Sequence, residues 1–173
     1  MHLDKFNIKI LNVLQQNGRI SKRDLADEIG LSDSPCWVRL RKLEELGYIQ
    51  GYQAKINFER IGRFCHVTTL VRLGTHQAQD FSKFEEVIQS IPEIVDCESV
   101  VGEIDYILSF VTVDIDHYQR LIEDLLAREI GILAYFSHVR SKSIKEGSNN
   151  LLEHLLDTAA KFDESAGRPT RDL

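Results

Sequence analysis

The chain has 173 residues, 43% of them hydrophobic and 28% charged, which is the composition of a globular protein with enough apolar material for a core. It has no run of about eighteen apolar residues, and residues 1–9 lack the apolar block of a secretion signal. We therefore expect a cytoplasmic protein that does not span a membrane. The cysteines form no C-x-x-C pair and the histidines show no zinc-ligand spacing, so we expect reduced thiols and no metal or other cofactor.

The formal net charge of −6 is unevenly distributed along the chain. Residues 1–63 hold 11 Lys and Arg against 8 Asp and Glu, a net charge of +3. Residues 64–145 hold 7 against 13, and residues 146–173 hold 3 against 6, so both later regions are acidic. Basic character is thus concentrated in the first 63 residues, which favours that region as a surface for phosphate groups.

Two short helices are predicted near the N-terminus. Asp4 is a suitable N-cap for the first, whose apolar residues recur at helical spacing until Asn17-Gly18 ends it. Ser21 and Asp24 form a capping box for the second, with Asp in place of the usual Glu. Gly30 is the expected end of that helix, because glycine readily adopts the left-handed conformation that follows a helix.

A third helix is predicted over Ser34–Leu46, with Ser34 as its N-cap and Pro35 in the first helical position, where a missing N–H does no harm. Gly47 is expected to terminate it. The short turn Gly30–Asp33 between the second and third helices is typical of a helix-turn-helix motif.

The side chains of the third helix separate into two faces at about 100° per residue. Cys36, Leu40 and Leu43 lie on one side and are expected in the core. The outward side would enter a major groove and contact bases and phosphates. Arg39 lies between the two sides, so it could pair with an acidic neighbour instead of contacting DNA. For each basic residue, a further alternative to DNA contact is that it only solvates an exposed helix face. The expected DNA-binding residues are Ser32, Ser34, Pro35, Trp37, Val38, Arg39, Arg41 and Lys42.

The rest of the chain predicts an α+β fold with the order β-α-β-β-α-β of a ferredoxin-like domain. Apolar stripes predict one helix over Phe81–Ile91 and another from Tyr118, the latter capped by Asp114 or Asp116. The strands are expected at Val67–Leu73, Val95–Val101, Tyr106–Val113 and Ala134–Ile144.

These elements divide the chain into four regions. Residues 1–50 form the helix-turn-helix domain, and residues 51–63 form a linker with a hinge strand, since Tyr48–Asn57 alternates enough to predict a strand. Residues 64–145 form the ferredoxin-like domain. Residues 146–173 form a C-terminal helix and tail, in which Leu151–Phe162 repeats apolar residues at helical spacing.

Motifs in both halves carry a family resemblance. The first half contains Leu31-Ser32-x-Ser34-Pro35-Cys36-Trp37, then Arg39-x-x-x-Leu43-Glu44-x-x-Gly47-x-Ile49-x-Gly51-Tyr52, and the second contains Gly102-x-x-Asp105-Tyr106. Together they resemble the Lrp/AsnC family of feast/famine regulators, up to Lys145. The resemblance implies a sequence-specific DNA-binding transcriptional regulator, not an enzyme, whose assembly or DNA binding responds to a small effector, expected to be an amino acid. Val38 departs from the arginine frequent in the family, which removes a possible phosphate contact.

The turn Gly102–Asp105 is the expected effector site. A free amino acid needs a negative partner for its ammonium group, which Asp105 or Glu103 could supply. It also needs N–H donors for its carboxylate, which the backbone around Gly102 could supply. On composition alone, an ordinary hairpin with exposed acids is the alternative.

The resemblance adds an expectation about assembly. It implies that the ferredoxin-like domains pair through their sheets into homodimers, which assemble further into octamers or similar rings. It also places the effector turn at a subunit interface, so we expect Phe136, Ser137 and His138 of a neighbouring subunit to complete the effector site.

Two alternatives belong to other functional classes. An enzyme with a regulatory domain would need a nucleophile elbow, a Gly-rich phosphate loop, a metal-ligand cluster or paired catalytic carboxylates, and the sequence contains none of these patterns. A DNA-organising protein with little sequence preference would use the same helices, and the ratio of specific to nonspecific binding at one salt concentration would identify it.

Overall fold

The computed structural model describes residues 3–75 and 77–145 and, beyond them, residues 151, 152, 154–156 and 158. The chain divides into two compact units. The first unit comprises Met1–Lys55 and Lys145–Leu173, and the second comprises Ile56–Ile144. The chain therefore passes from one unit to the other twice. No helix in the described ranges is long and apolar enough to cross a membrane.

Among the described residues of the first unit, three helices pack around one apolar core: α1 (Lys5–Gln16), α2 (Lys22–Ile29) and α3 (Asp33–Glu45). Both predicted N-caps of the first two helices are confirmed. The Asp4 carboxylate accepts hydrogen bonds from the N–H groups of Phe6 and Asn7, and the Ser21 hydroxyl accepts one from the N–H of Asp24. The core residues are Ile10, Leu25, Ala26, Ile29, Cys36, Leu40 and Leu43.

The start of α3 differs from the prediction. Its N-cap is Ser32, and the first intrahelical bond runs from the N–H of Cys36 to the carbonyl of Ser32, at 3.2 Å. Ser34 and Pro35 are therefore the second and third helical residues. Proline is tolerated there because the N–H groups of the whole first turn have no partner within the helix. Gly30 has a φ of 77°, the left-handed conformation expected of it.

The strand predicted over Tyr48–Asn57 is absent, and the segment after it forms only a short 3₁₀ turn at Phe58–Arg60. No strand in the described part of the chain lies alongside this segment, so its backbone has no ladder partner. The N–H groups of Tyr48 and Ile49 instead donate to the carbonyl of Leu43 at the end of α3. Of the apolar residues in this segment, Ile49 packs against the core of the first unit, whereas Tyr48, Tyr52 and Ile56 are exposed.

The second unit has the predicted ferredoxin-like order. Its elements are β1 (Cys65–Leu73), α4 (Ala78–Gln89), β2 (Ile94–Ser99), β3 (Tyr106–Thr112), α5 (Ile115–Ala127) and β4 (Ile132–Val139). The strand order is β2-β3-β1-β4, and all neighbouring strands are antiparallel. Asp114, rather than Asp116, caps α5 by accepting from the N–H of His117 at 2.7 Å.

The last strand ends at Val139, five residues before the predicted end at Ile144. Val139 pairs with Val67, close to where β1 begins at Cys65. The N–H of Arg140 still donates to the carbonyl of His66, at 2.8 Å, but by the same register the residues from Lys142 onward have no residue of β1 opposite them. The length of β1 therefore sets the length of β4.

Helices α4 and α5 cover one face of this sheet. Phe84 of α4 is fully buried and its ring lies 4.5 Å from that of Tyr106, while Tyr118 of α5 packs edge-on against Phe110 at 5.2 Å. No described element of the second unit covers the opposite face. The predicted C-terminal helix is present at the described residues from Leu151 to Thr158, and its predicted end at Phe162 lies outside the described residues.

Candidate DNA interface and effector turn

The two faces of α3 separate as its residue spacing predicts. Cys36, Leu40 and Leu43 are almost completely buried, with exposed fractions of 1%, 6% and 0%. The opposite side is exposed, and we call its residues Ser34, Val38, Arg41 and Lys42 the outward surface of α3. Val38 in the middle of it is 63% exposed. Two cations and a short apolar side chain are thus presented to solvent from a helix that the core holds fixed.

Arg39 forms an ion pair and a hydrogen bond inside the first unit. Its Nη1 lies 2.6 Å from an oxygen of the Asp4 carboxylate and 3.0 Å from Oδ1 of Asn7, and its guanidinium lies 5.5 Å from the centre of the Phe6 ring. The alternative of pairing with an acidic neighbour is therefore confirmed. Arg39 joins α3 to the beginning of α1, which restrains the position of α3.

Arg41 also has a partner, but a weak one. Its Nε lies 2.9 Å from Oε1 of Glu45, one turn further along α3, and both side chains are more than 60% exposed. Such a solvent-screened pair contributes only about 0.3–0.5 kcal/mol. A phosphate group would therefore compete for Arg41 at little cost.

Trp37 and Lys22 form a contact that the sequence analysis did not anticipate. The Nζ of Lys22, at the start of α2, lies 3.2 Å from the centre of the Trp37 ring, which is 37% exposed. A cation over an aromatic face is attracted by the electrons of the ring. No local pattern indicates this contact, because Lys22 and Trp37 lie fifteen residues apart on different helices.

A groove of about 510 Å³ runs beside α3. Asp4 and Asn7 line one wall, and Ser34, Pro35, Val38, Arg39 and Lys42 line the other. Ser32 is not among its lining residues, and its side chain makes no cap hydrogen bond. The groove and the outward surface of α3 share three residues, so they form one continuous surface.

The turn between β2 and β3 is anchored by Asp105. Its carboxylate accepts a hydrogen bond from the N–H of Leu73 at 2.7 Å, and its own N–H donates to the carbonyl of Val71 at 2.9 Å. Gly102 has a φ of 154°, and a Cβ there would meet no atom within 4 Å. Glu103 is exposed. The turn is thus fastened to the end of β1 at Asp105, while Gly102 and Glu103 border open space.

The three candidate residues on β4 do not share one face. Phe136 and His138 lie opposite Leu70 and Thr68, on the sheet face that α4 and α5 leave uncovered. Ser137 lies on the helix-covered face, where its hydroxyl bonds to that of Tyr118. Side chains alternate along a strand, so only Phe136 and His138 of the three candidates face the same side of the sheet.

Within one chain, this strand is not next to the turn. The strand order places β1 between β4 and β3, so the turn and β4 lie on separate strands of the same sheet. Among the described residues, no group of three or more His, Cys, Asp or Glu side chains is placed to hold a metal ion.

A helix-turn-helix unit with an outward basic helix, joined to a ferredoxin-like domain, defines a DNA-binding regulator with a separate ligand-binding domain. Family comparisons agree, since residues 3–50 match a model described as winged helix-turn-helix DNA-binding and residues 66–150 match the Lrp/AsnC ligand binding domain. This chain belongs to the Lrp/AsnC family of transcriptional regulators, as its motifs predicted.

Individual relatives align with most of this chain and with nearly all of their own length. The transcriptional regulatory protein DoeX of Halomonas elongata is 40% identical over 151 residues, which are 87% of this chain and 96% of that protein. The Bkd operon transcriptional regulator of Pseudomonas aeruginosa is 37% identical over 82% of this chain and 93% of its own. A transcriptional regulator of Neisseria meningitidis, solved in complex with L-Met, superposes with a TM-score of 0.81 at 31% identity, over 88% of this chain and 99% of its own.

The charge of Asp4 is expected to stabilise the first unit in a pH-dependent way. Burial raises the pKa of Asp4, but hydrogen bonds from the N–H of Asn7, the Arg39 guanidinium and the N–H of Phe6 together hold it below its usual value of 3.8. A carboxyl group whose pKa falls on folding stabilises the folded state above its unfolded pKa, and that stabilisation is lost as the pH drops through the folded-state pKa.

We therefore predict the effect of Asp4→Asn, which keeps an N-cap side chain but removes the charge. At pH 6 the free energy of unfolding should fall by about 0.5–1 kcal/mol, because the pair is partly exposed and solvent-screened. The difference should shrink as the pH falls below 3.8. Urea unfolding measures it, with Glu45→Gln in the exposed pair as a control. A deficit of the same size at every pH would contradict the assignment.

Proposed function

We propose that the outward surface of α3, with Trp37 and Lys22 beside it, reads a specific DNA site. Support comes from the burial of the opposite side of α3, which leaves this surface as the part of the helix that a major groove would meet. Arg41 and Lys42 contact phosphates or guanine, the Ser34 hydroxyl bonds to a phosphate, and Val38 packs on a thymine methyl group. Residues 1–50 act as the DNA-binding domain.

Arg39 has a different role in this proposal. Its guanidinium is already held by Asp4 and Asn7, so it positions α3 on α1 and is not the first choice for a phosphate. Ser32, as the N-cap residue, and Pro35, in the first turn, set where the helix starts and which residues come first into the groove. Their side chains contribute contacts only to the adjacent DNA backbone.

The proposal predicts a specific loss on replacing Arg41 and Lys42 together by alanine. Each lost phosphate contact should reduce the salt dependence of the binding constant by about one counterion, and each lost base contact should cost about 1–3 kcal/mol of discrimination. Binding to operator fragments is measured by fluorescence anisotropy at several salt concentrations.

The matched control is Lys9→Ala with Lys55→Ala, which removes two exposed cations of the same unit from positions outside α3. It should weaken binding much less and leave the preference for the operator over random DNA unchanged. Equal losses of affinity in the two double variants would show that the unit binds DNA only through its overall positive charge and not through α3. Retention of full affinity by the α3 variant would refute the proposal.

We further propose that residues 64–145 bind an amino acid at the turn between β2 and β3. The relative from Neisseria meningitidis, 31% identical over most of both chains, was solved with L-Met, which supports this class of effector. The exposed carboxylate of Glu103 is the partner for the ammonium group, because Asp105 already fastens the turn to β1. The backbone around Gly102 supplies N–H donors for the ligand carboxylate.

The site is completed by a second subunit in this proposal. The sheet face that α4 and α5 leave uncovered carries Phe136, which is 55% exposed, and it is the face through which two chains would pair. Phe136 and His138 lie on that face and reach a neighbouring chain, whereas Ser137 supports β4 through Tyr118. A ligand bound between dimers shifts assembly toward octamers or rings only through differential affinity, and the new assembly changes which DNA sites are engaged together.

Glu103→Gln is predicted to weaken amino-acid binding while leaving the fold and the DNA affinity of the ligand-free protein unchanged. Losing the charge partner of an ammonium group should cost about 1.5–3 kcal/mol. Calorimetric titration with L-methionine and the other amino acids measures binding, and light scattering follows particle mass in the same samples.

The control is Glu123→Gln, an exposed carboxylate on α5. Wild type and control should bind the same amino acid and change particle mass or operator affinity when it is added. If no amino acid binds to the wild type, or if binding alters neither mass nor operator affinity, the effector proposal fails. If only the Glu103→Gln result failed, with amino-acid affinity unchanged in that variant, Glu103 would not be the partner of the ammonium group.

A further inference from the structure

The first unit has an apolar groove that the proposed DNA contacts do not use. Its volume is about 430 Å³. One wall comes from α1 and the residue before its cap, and the other comes from the segment that follows α3. The groove is lined by Leu3, Leu11, Leu14, Gln15, Tyr48, Ile49, Gln50, Gly51, Tyr52 and Leu152. All of these belong to the first unit, although Leu152 lies at least a hundred positions further along the chain than the others.

The second wall is fastened in place and is not a loose loop. The Tyr52 hydroxyl donates a hydrogen bond to Oε1 of Glu44 on α3, at 2.8 Å. The Tyr52 ring also closes on the turn after α1, where a Cβ added to Gly18 would come within 3.4 Å of it. The N–H of Tyr48 donates to the carbonyl of Leu43. The groove is therefore a formed feature of this unit.

Leu152 belongs to a helical segment with two unequal sides. We call the described residues 151, 152, 154–156 and 158 the C-terminal segment. Leu152 and Leu156, four residues apart and so on one side of a helix, are half-buried, whereas Leu151 and Leu155 are 43% and 54% exposed. The Thr158 hydroxyl donates to the carbonyl of His154, one turn earlier. The half-buried side is the one that includes the groove residue Leu152.

The C-terminal segment lies outside the matched ligand-binding domain. The match to the Lrp/AsnC ligand binding domain ends at residue 150, one residue before Leu151. The half-buried side of this segment therefore calls for an explanation other than the packing of that domain.

We propose that the C-terminal segment is an intramolecular clasp: its Leu152 and Leu156 side docks in the apolar groove between α1 and residues 48–52 of its own chain. The polypeptide leaves the DNA-binding unit after Lys55 and returns to it at Lys145, so docking gives that unit a second attachment besides the linker. A tethered segment binds at a high effective concentration, so a small apolar contact suffices.

The clasp would affect DNA binding through the freedom of the DNA-binding unit. With one attachment the unit is restrained only by the linker, and with two it samples fewer arrangements. Releasing the segment should therefore widen the range of half-site spacings that the protein accepts. The clasp does not depend on which amino acid is sensed.

Hydrogen exchange on the full-length protein tests the docking, with Leu152→Asp and Leu155→Asp as a matched pair. The two variants place the same charge in the same segment, but only the first places it in the groove. In Leu152→Asp, amide exchange in α1 and residues 48–52 should be about tenfold faster than in wild type, since local opening becomes easier there. In Leu155→Asp it should be unchanged, as should exchange in the second unit for both variants.

Truncation after residue 150 should reproduce the Leu152→Asp pattern, and Leu152→Ala provides a milder variant if the aspartate prevents folding. Equal effects of Leu152→Asp and Leu155→Asp, or no effect of either Leu152→Asp or truncation, would overturn the proposal. Because α1 and residues 48–52 serve as the readout, failure here leaves the DNA and effector proposals standing.

A cross-link distinguishes docking within one chain from docking on a second copy. In a Cys97→Ser background, which removes the exposed native thiol, Leu14→Cys and Leu152→Cys are combined and treated with a short bis-maleimide. The expected product migrates as a single chain on a denaturing gel and is missing from each single-cysteine variant. A covalent dimer as the main product would show exchange between subunits and overturn the intramolecular clasp.

Discussion

Burial of one side of α3 is the constraint on which the DNA-binding surface depends. Cys36, Leu40 and Leu43 pack among Ile10 of α1 and the apolar residues of α2. Fully burying one leucine is worth about 1.5–3 kcal/mol, several times the value of an exposed ion pair such as Arg41–Glu45. The apolar side therefore fixes the rotation of the helix about its axis, and the outward residues follow from the helical period.

A second restraint fixes the position of α3 on its neighbours. Arg39 lies at the boundary between the two sides and joins α3 to Asp4 at the N-terminus of α1. Lys22 over Trp37 joins the start of α2 to the first turns of α3. Neither contact is strong, but both hold the N-terminal half and the middle of α3, where a small displacement would change which bases are reached.

The sequence predicted most of the fold because its signals were local. Helix caps at Asp4 and Ser21, the glycine at position 30 and the apolar stripes all act within a few residues, and the structure confirms them. Apolar stripes and β-branched runs likewise predicted the element order of the second domain, and the Lrp/AsnC motifs indicated the family. The start of α3 was placed two residues late because Ser32 and Ser34 are equally good N-caps, and Pro35 fits anywhere in the first turn.

The wrong predictions depended on contacts between distant segments. Whether Tyr48–Asn57 forms a strand depends on a partner, and the end of β4 depends on where β1 begins. The contact of Lys22 with Trp37 and the groove that Leu152 lines join segments whose proximity no local pattern encodes. For the effector site, the alternation along β4 places Ser137 on the opposite sheet face from Phe136 and His138, and the role of all three residues stays a prediction.

Guanine methylation interference on an operator fragment tests most directly whether α3 occupies a major groove. The N7 atom of guanine lies on the floor of that groove, so a methyl group there blocks a helix that approaches it. The account predicts interference at guanines in two half-sites about one helical turn, or a multiple of it, apart. Binding that tolerates methylation at every guanine N7 and is blocked only by modification in the minor groove would contradict it.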